Sequence, residues 1–317
     1  MILLTPFFKI LNEHYPEAKI DVIASVHNWM ILKDNPRISK IFVYNKNPWN
    51  LLDLILKIRL KKYSYYIDPK DHYSHESQYF AKIVRADKKI YYAPQTNCNN
   101  IFSLREFDKN SGVHFTQRLM QPLQYLGIDI SAIPVRPELW EDKNSQIYIG
   151  NYFTQLSRNK VNILLNISAS NPKKMWEISK WIEFLATLNF TYFNLILSSD
   201  PKDRDELITI HKKFPETSIS PARNFTDLIS LIKNVDIVIT PDTSIVHLAS
   251  AFNKPILALY SGLGWTYDLF RPLSEIKQIV FAPDNIDDIR FISVEDVKSS
   301  FSELLNILNF GQYYPNK

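Results

Sequence analysis

Between Thr240 and Gly262 the chain reads TPDTSIVHLASAFNKPILALYSG. An acid (Asp242), two hydroxyls (Thr243 and Ser244) and a histidine (His247) stand at the head of a segment otherwise suited to burial. Ile245, Leu248, Ala249 and Phe252 recur at i, i+3, i+4 and i+7, the apolar face of a helix. Asn253 can take the left-handed conformation that ends a helix, and Pro255 prevents continuation. On a helical wheel His247 lies about 150° from the centre of the apolar face, and Thr243, four residues earlier, shares its side. His247 is therefore either a plain surface residue or a cleft residue. Its place on a helix that follows a strand end favours the cleft. The first turn of such a helix offers free N–H groups and a partial positive charge. With two hydroxyls beside it, it is a seat for a diphosphate that needs no glycine-rich loop. Asp242 on its own reads as a helix cap or first-turn acid, a role compatible with ligand contact.

A second stretch with chemical capacity is NISASNPKKMWEISKW, from Asn166 to Trp181. Ser168 and Ser170 are small donors in a loop, and Lys173 and Lys174 place positive charge just before a helix. This is a phosphate site or a pair of solvated lysines. Trp176 and Trp181 either pack or offer a ring to a base. After the next strand, SGLGW (261–265) carries Gly262 and Gly264, which permit close backbone approach.

The elements that must position these residues alternate along the chain. Strands are expected at 19–25, 40–45, 65–68, 88–93, 161–168, 193–199, 235–240, 255–260 and 277–282. Helices are expected at 5–14, 49–60, 75–84, 115–126, 176–188, 202–213, 226–233, 244–252 and 294–308. Several strands are unbroken Ile/Leu/Val runs, as in sheets covered on both faces. The alternation predicts parallel sheets and right-handed crossovers. It weakens over 127–160, a proline-bearing and then polar stretch, so the domains are expected at 1–150 and 151–317. The fold class that follows is α/β: two Rossmann-like, doubly wound parallel-sheet domains facing across a cleft, with ligands at the carboxyl ends of strands. The first domain opens on a helix rather than a strand, which would leave its sheet open in the middle.

Composition narrows the function classes. Six glycines in 317 residues are well under the usual ~7%, and neither GxGxxG nor GxxxxGK[ST] occurs, which argues against a P-loop kinase. The single cysteine, Cys98, makes no internal disulfide and reads as an inert loop thiol in a reducing compartment. No metal-ligand cluster, signal peptide or membrane-length apolar run is visible. The net charge of +4 is mild and fits an anionic substrate or membrane surface. The densest basic run, LKIRLKKYSYY (56–66), reads as a solvated helix end or as a contact for phosphates or a membrane. No nucleic-acid motif accompanies it.

Taken in order, these stretches resemble glycosyltransferase family 9, the heptosyltransferases of lipopolysaccharide assembly. TPDTSIVHLASAFNKPILALYSG resembles the family's Asp-Thr-Gly…His motif. SNPKKMWEISKW resembles its Lys-x-Trp loop, with Lys174 and Trp176 in the matching places. LLTPFFKILNEHYPEAKIDVIAS…NPRISKIFVYNK resembles its opening and HFTQRLMQPLQYLGI (114–128) a late helix of its first domain. The resemblance implies a GT-B fold. The second domain would hold ADP-heptose or a similar nucleotide sugar, and the first a lipid-linked core saccharide acceptor. Lys174, Thr243 and Ser244 would contact the donor phosphates, with Asp242 and His247 in the same site and Ser170 as a helper. Transfer would invert the anomeric centre without metal or other cofactor, in the cytoplasm, with peripheral contact at the inner membrane. Ser244 departs from the glycine of many members. The family also places Gly-Asp directly before the equivalent of MILLTP, and that Asp is its expected general base. The resemblance thus predicts a true start upstream of Met1 or, as the alternative function, an inactive nucleotide-sugar-binding homologue or truncated remnant. Asp68, Asp71 and Glu76, with His72 and His75, lie in IDPKDHYSHES, a region the family uses near the acceptor. They read as a polar loop and helix cap, and no catalytic residue is assigned.

Overall fold

The structure is a computed structural model that describes residues 1–45, 47–96, 98–131 and 136–310. It divides into two compact units, Met1–Glu138 and Leu139–Lys317.

In the first unit a 3-10 turn at Ile2–Leu4 leads into α1 (Thr5–His14), β1 (Ile20–Ser25), β2 (Ile38–Tyr44), α2 (Pro48–Arg59), β3 (Tyr63–Ile67), α3 (His75–Ile83), β4 (Ala86–Tyr91) and β5 (Ile101–Ser103). Its strands form two parallel pieces, β1-β2 and β3-β4-β5, with no ladder between the pieces among the described residues. The helix expected over 115–126 is instead two short ones, α4 (Phe115–Leu119) and α5 (Gln121–Gln124), separated at Met120. Pro122 accounts for the break, because it lacks an N–H and its ring crowds the carbonyl four residues back. One cluster of this unit packs Leu54 and Ile58 of α2 against Phe42, Phe80 and Val84.

The second unit runs α6 (Lys143–Phe153), β6 (Val161–Asn166), α7 (Ile178–Leu185), β7 (Phe193–Ser198), α8 (Arg204–Lys213), β8 (Ser218–Ile219), α9 (Phe225–Asn234), β9 (Ile237–Pro241), α10 (Ser244–Ala251), β10 (Ile256–Tyr260), α11 (Gly264–Phe270), β11 (Lys277–Phe281) and α12 (Val294–Ile307). Its six strands form one parallel sheet in the order β11-β10-β9-β6-β7-β8. The two-residue period sends Ile163, Leu165, Ile237, Ile239, Leu257 and Leu259 into one core with residues of α7, α8 and α12. Alternate residues such as Leu164, Val238 and Ala258 are buried as well, toward the face where α9 and α10 pack. Both faces are thus covered, which explains the unbroken apolar runs.

The unit boundary falls at Glu138/Leu139, earlier than the expected 150, because a helix occupies the polar stretch. Asp142 caps α6. Ser145 Oγ donates to Thr226 Oγ1 at 3.0 Å, Tyr148 OH donates to the Pro221 carbonyl at 3.1 Å, and the Arg223 guanidinium lies 3.6 Å above the Tyr148 ring. These contacts tie α6 to the second unit. Part of the expected linker, 132–135, lies outside the described residues.

The two loop glycines do different things. A Cβ on Gly262 would stand 1.9 Å from the Pro283 carbonyl oxygen, whereas one on Gly264 would meet nothing within 4 Å. Close approach is therefore required at Gly262 only, where the chain after β10 passes the loop after β11. Gly262→Ala is expected to lower the stability of the second unit by about 1–3 kcal/mol through overpacking. Gly264→Ala, at the first position of α11, should be neutral or slightly stabilising. Denaturant midpoints of the two variants check this pair of outcomes.

Candidate functional site

The sheet of the second unit has one place where the chain leaves neighbouring strands in opposite directions. From β6 it passes to β7 and β8 on one side, and β9, next to β6, begins the run to β10 and β11 on the other. Such a switch point leaves a crevice at the carboxyl ends of the two strands. The β6 loop leads to Lys174 and the β9 loop to Asp242. The two side chains meet there as an ion pair between Lys174 Nζ and Asp242 Oδ2.

Each loop is held by its own hydrogen bonds. Asn171 caps the 3-10 turn Pro172–Lys174. Beyond it the Trp176 indole donates to the Ile292 carbonyl at 3.1 Å. Trp176 and Trp181 pack edge to face at 4.7 Å and are 1% and 0% exposed, so neither ring is available to a base. Their burial anchors the loop that carries Lys174. On the other side the Asp242 N–H donates to the Leu259 carbonyl at 2.9 Å. Asn166 Nδ2 bridges the two strand ends, donating to Thr240 Oγ1 at 3.0 Å and to the Ser168 carbonyl at 2.9 Å. Thr240 Oγ1 in turn lies 3.2 Å from Thr243 Oγ1.

Asp242 is not the helix cap. Thr243 is the N-cap of α10, its hydroxyl accepting from the Ile245 N–H at 3.2 Å. Asp242 is freed to pair with Lys174 and is only 7% exposed. Burial pushes its carboxyl above the usual range, and the Lys174 ammonium pulls it the other way. Thr243's hydroxyl is committed to the cap and to Thr240, so Ser244, exposed in the first turn, is the α10 hydroxyl open to a ligand. One turn on, His247 is half-buried with its ring 6.2 Å from that of Phe270. At the other end Asn253 takes φ +52°, and Lys254 N–H and Asn253 N–H close the helix on the carbonyls of Ala249 and Ser250.

Lys173 turns away, its Nζ 3.5 Å from Asp287 Oδ2. Ser170 is exposed on the Lys174 loop, while Ser168 is buried with its hydroxyl accepting from the Asp200 N–H at 2.8 Å. Asn166, Thr240 and Tyr260, which frame the pair, escape a reading for reactive residues because their roles are structural. The one signal is an asparagine closing the apolar run VNILLN. Tyr260 is fully buried, and burial together with the Asp242 charge holds its hydroxyl far above its ordinary range.

In the first unit Asp71 is buried between His72, whose Nδ1 lies 3.1 Å from Oδ1, and Arg118, whose Nη1 lies 3.8 Å from Oδ2. Arg118 also donates to the carbonyls of Val113, Phe107 and Asp108. That carboxylate is part of a loop-organising network. Asp68 accepts from the Lys70 N–H at 3.1 Å, and Glu76 is exposed 3.7 Å from Lys70. Among the described residues no group of three or more His, Cys, Asp and Glu side chains is placed to hold a metal ion, and no helix is long and apolar enough to cross a membrane.

The raised Asp242 carboxyl has a consequence for stability. The native state holds that proton more tightly than the unfolded chain, so the group favours folding below its unfolded pKa and loses that contribution as pH rises through the raised value. Asp242→Asn removes the buried charge. At pH 7.5 the variant should melt at the same temperature as the parent or above it. Any margin should shrink as the pH is lowered and the parent's carboxyl protonates. Thermal melts across pH check this, and a variant clearly less stable at pH 7.5 would contradict it.

The sequence profile of glycosyltransferase family 9 (heptosyltransferase) matches residues 52–287. The lipopolysaccharide core heptosyltransferase OpsX of Haemophilus influenzae is 24% identical over 260 residues, 79% of this chain and 72% of that one. Among solved structures, a family 9 glycosyl transferase of Veillonella parvula aligns with a TM-score of 0.82 at 16% identity, over 96% of this chain and 93% of that one. The E. coli ADP-heptose lps heptosyltransferase II aligns with a TM-score of 0.73 at 18% identity, over 98% and 96%. The fold class is thus the two-domain GT-B arrangement of Rossmann-like units. With its profile matched over most of its length, the chain belongs to glycosyltransferase family 9 and is a glycosyltransferase of the heptosyltransferase type.

Proposed function

We propose that the chain transfers a heptose, or a related sugar, from an ADP-sugar to a saccharide of the lipopolysaccharide or lipooligosaccharide core, with inversion at the anomeric carbon. The observation that carries this reading is the Lys174–Asp242 pair at the switch point beside the N-terminus of α10. A leaving nucleoside diphosphate develops negative charge as the glycosidic bond breaks. A preplaced ammonium and a helix N-terminus stabilise that charge with little reorganisation and without a metal ion. Two relatives support the sugar and the acceptor: the E. coli protein of similar fold is an ADP-heptose lps heptosyltransferase, and OpsX is a core heptosyltransferase.

In this reading Lys174 meets the diphosphate, and Asp242 holds the ammonium in place. Ser244 and the first N–H groups of α10 receive phosphate oxygens. Thr243 keeps the helix end in shape. His247 lies along the same helix toward the sugar side, and Ser170 closes the loop opposite. The second unit is the nucleotide-sugar domain and the first the acceptor domain. The acceptor is lipid-borne, so the enzyme works in the cytoplasm and touches the inner membrane peripherally. Asp71 is not proposed as the base, since Arg118 and His72 engage its carboxylate.

The test is release of ADP from ADP-heptose with a truncated core lipid as acceptor. Lys174→Ala should lower kcat/KM by about 10²–10³, the cost of removing one group aimed at developing charge. Ser170→Ala should change it by less than about threefold, as for an exposed neutral contact. A Lys174→Ala enzyme at the parent's rate would overturn the reading.

A further inference from the structure

α2 is apolar on two opposite sides. Leu54 and Ile58 face the core with Phe42 and Phe80. On the far side Trp49, Leu52, Leu56 and Leu60 are 79%, 49%, 58% and 86% exposed. Their spacing of three, four and four residues sets them in one stripe on a 3.6-residue helix. Leu60 is the C-cap but keeps helical dihedrals (φ −67°, ψ −20°) and so continues the stripe. Single exposed apolar residues are ordinary on protein surfaces, but a row of four large ones headed by a tryptophan is not.

Charge flanks the stripe. Lys57 pairs with Asp53 at 2.5 Å, Lys61 with Asp21 at 2.7 Å and Lys62 with Asp87 at 2.6 Å. Arg59 and Arg85 are exposed, and neither has an acidic partner among the described residues. Arg85 Nη1 reaches the Arg59 carbonyl at 3.3 Å, which places a second guanidinium at the C-terminal end of α2. The uncompensated charge beside the stripe is therefore positive. An amphipathic helix with large apolar residues on one face, a tryptophan and flanking guanidinium groups suits the boundary between lipid headgroups and acyl chains. A second copy of the chain fits less well. A stable protein interface uses roughly 20–30 residues a side, far more than one helical stripe, and two such stripes would bring like charges together.

We propose that α2 is an interfacial helix, which lays Trp49, Leu52, Leu56 and Leu60 into an anionic lipid surface with Arg59 and Arg85 on the headgroups. This deepens the reading above by naming the surface of the acceptor domain that meets the membrane. It rests on that reading only for its biological purpose. The test uses neither donor nor acceptor, so its failure leaves the transferase reading standing, and failure of the transfer assay leaves the docking surface standing.

The full chain is floated with vesicles of phosphatidylethanolamine and phosphatidylglycerol, and in parallel with vesicles of phosphatidylcholine alone. The expected result is binding to the anionic vesicles that weakens as salt is raised. Trp49→Ser combined with Leu56→Ser should reduce the partition coefficient by about tenfold or more. Arg59→Gln combined with Arg85→Gln should weaken binding to anionic vesicles and leave the weak binding to phosphatidylcholine unchanged. Melting temperatures of both variants should match the parent, because the side chains are exposed. No flotation of the parent, or equal flotation of parent and serine variant, would overturn the proposal. So would a parent dimer in sedimentation equilibrium that the serine variant abolishes without any vesicle binding, since the stripe would then be a contact between copies.

Discussion

The site depends on one ion pair held where two loops diverge. In a parallel sheet each strand end normally lies under the loop of its neighbour, and little space remains. Between β6 and β9 the connections run opposite ways, and Lys174 and Asp242 meet over the opening. Neither side chain is positioned by its own loop alone. Trp176 fixes one side through its buried indole, and the Asn166–Thr240–Thr243 chain of hydrogen bonds fixes the other. A carboxylate buried this deeply is unfavourable to ionise without its ammonium partner. In the proposed function this local cost is matched to a use, since the lysine is oriented before the diphosphate arrives.

Much of the architecture is legible in the sequence because both units obey a simple period. Every strand expected from an Ile/Val/Leu or aromatic run is present within two or three residues. β5 and β8, with three and two residues, are too short to show an alternation. Composition hides α6: its sequence KNSQIYIGNYF has no broad apolar face, and its hold on the unit comes from the Ser145, Tyr148 and Tyr152 hydroxyls together with one fully buried apolar side chain, Ile149. The split between α4 and α5 follows from Pro122, a local rule that the helical pattern of the surrounding residues masks.

The site is legible in a different way. The residue types at 240–247 point to an anion seat by themselves. Pairing Lys174 with Asp242 does not follow from them, because 68 residues separate the two and only the strand order brings them together. Local rules also misassign the cap: Asp242 and Thr243 are both good N-cap residues, and the choice is made by Lys174, which draws the aspartate away. Trp176 and Trp181 are equally ambiguous in sequence, and the core beneath α7 resolves them as anchors. The first unit is built more thinly, with its strands in two pieces and a helix, α2, that carries large apolar side chains outside as well as inside. In the proposed function the second unit holds the charged donor, and the first meets the lipid-borne acceptor.

The claim on which the account turns is that Lys174 and Asp242 act as one unit toward a nucleoside diphosphate. A double-mutant cycle on ADP binding, by titration calorimetry of the parent, Lys174→Met, Asp242→Asn and the double variant, measures this directly. The account predicts a coupling of at least about 1 kcal/mol, with Asp242→Asn weakening ADP binding only while Lys174 is present. Additive effects within about 0.3–0.5 kcal/mol would mean that the two side chains meet the ligand independently, and would contradict it.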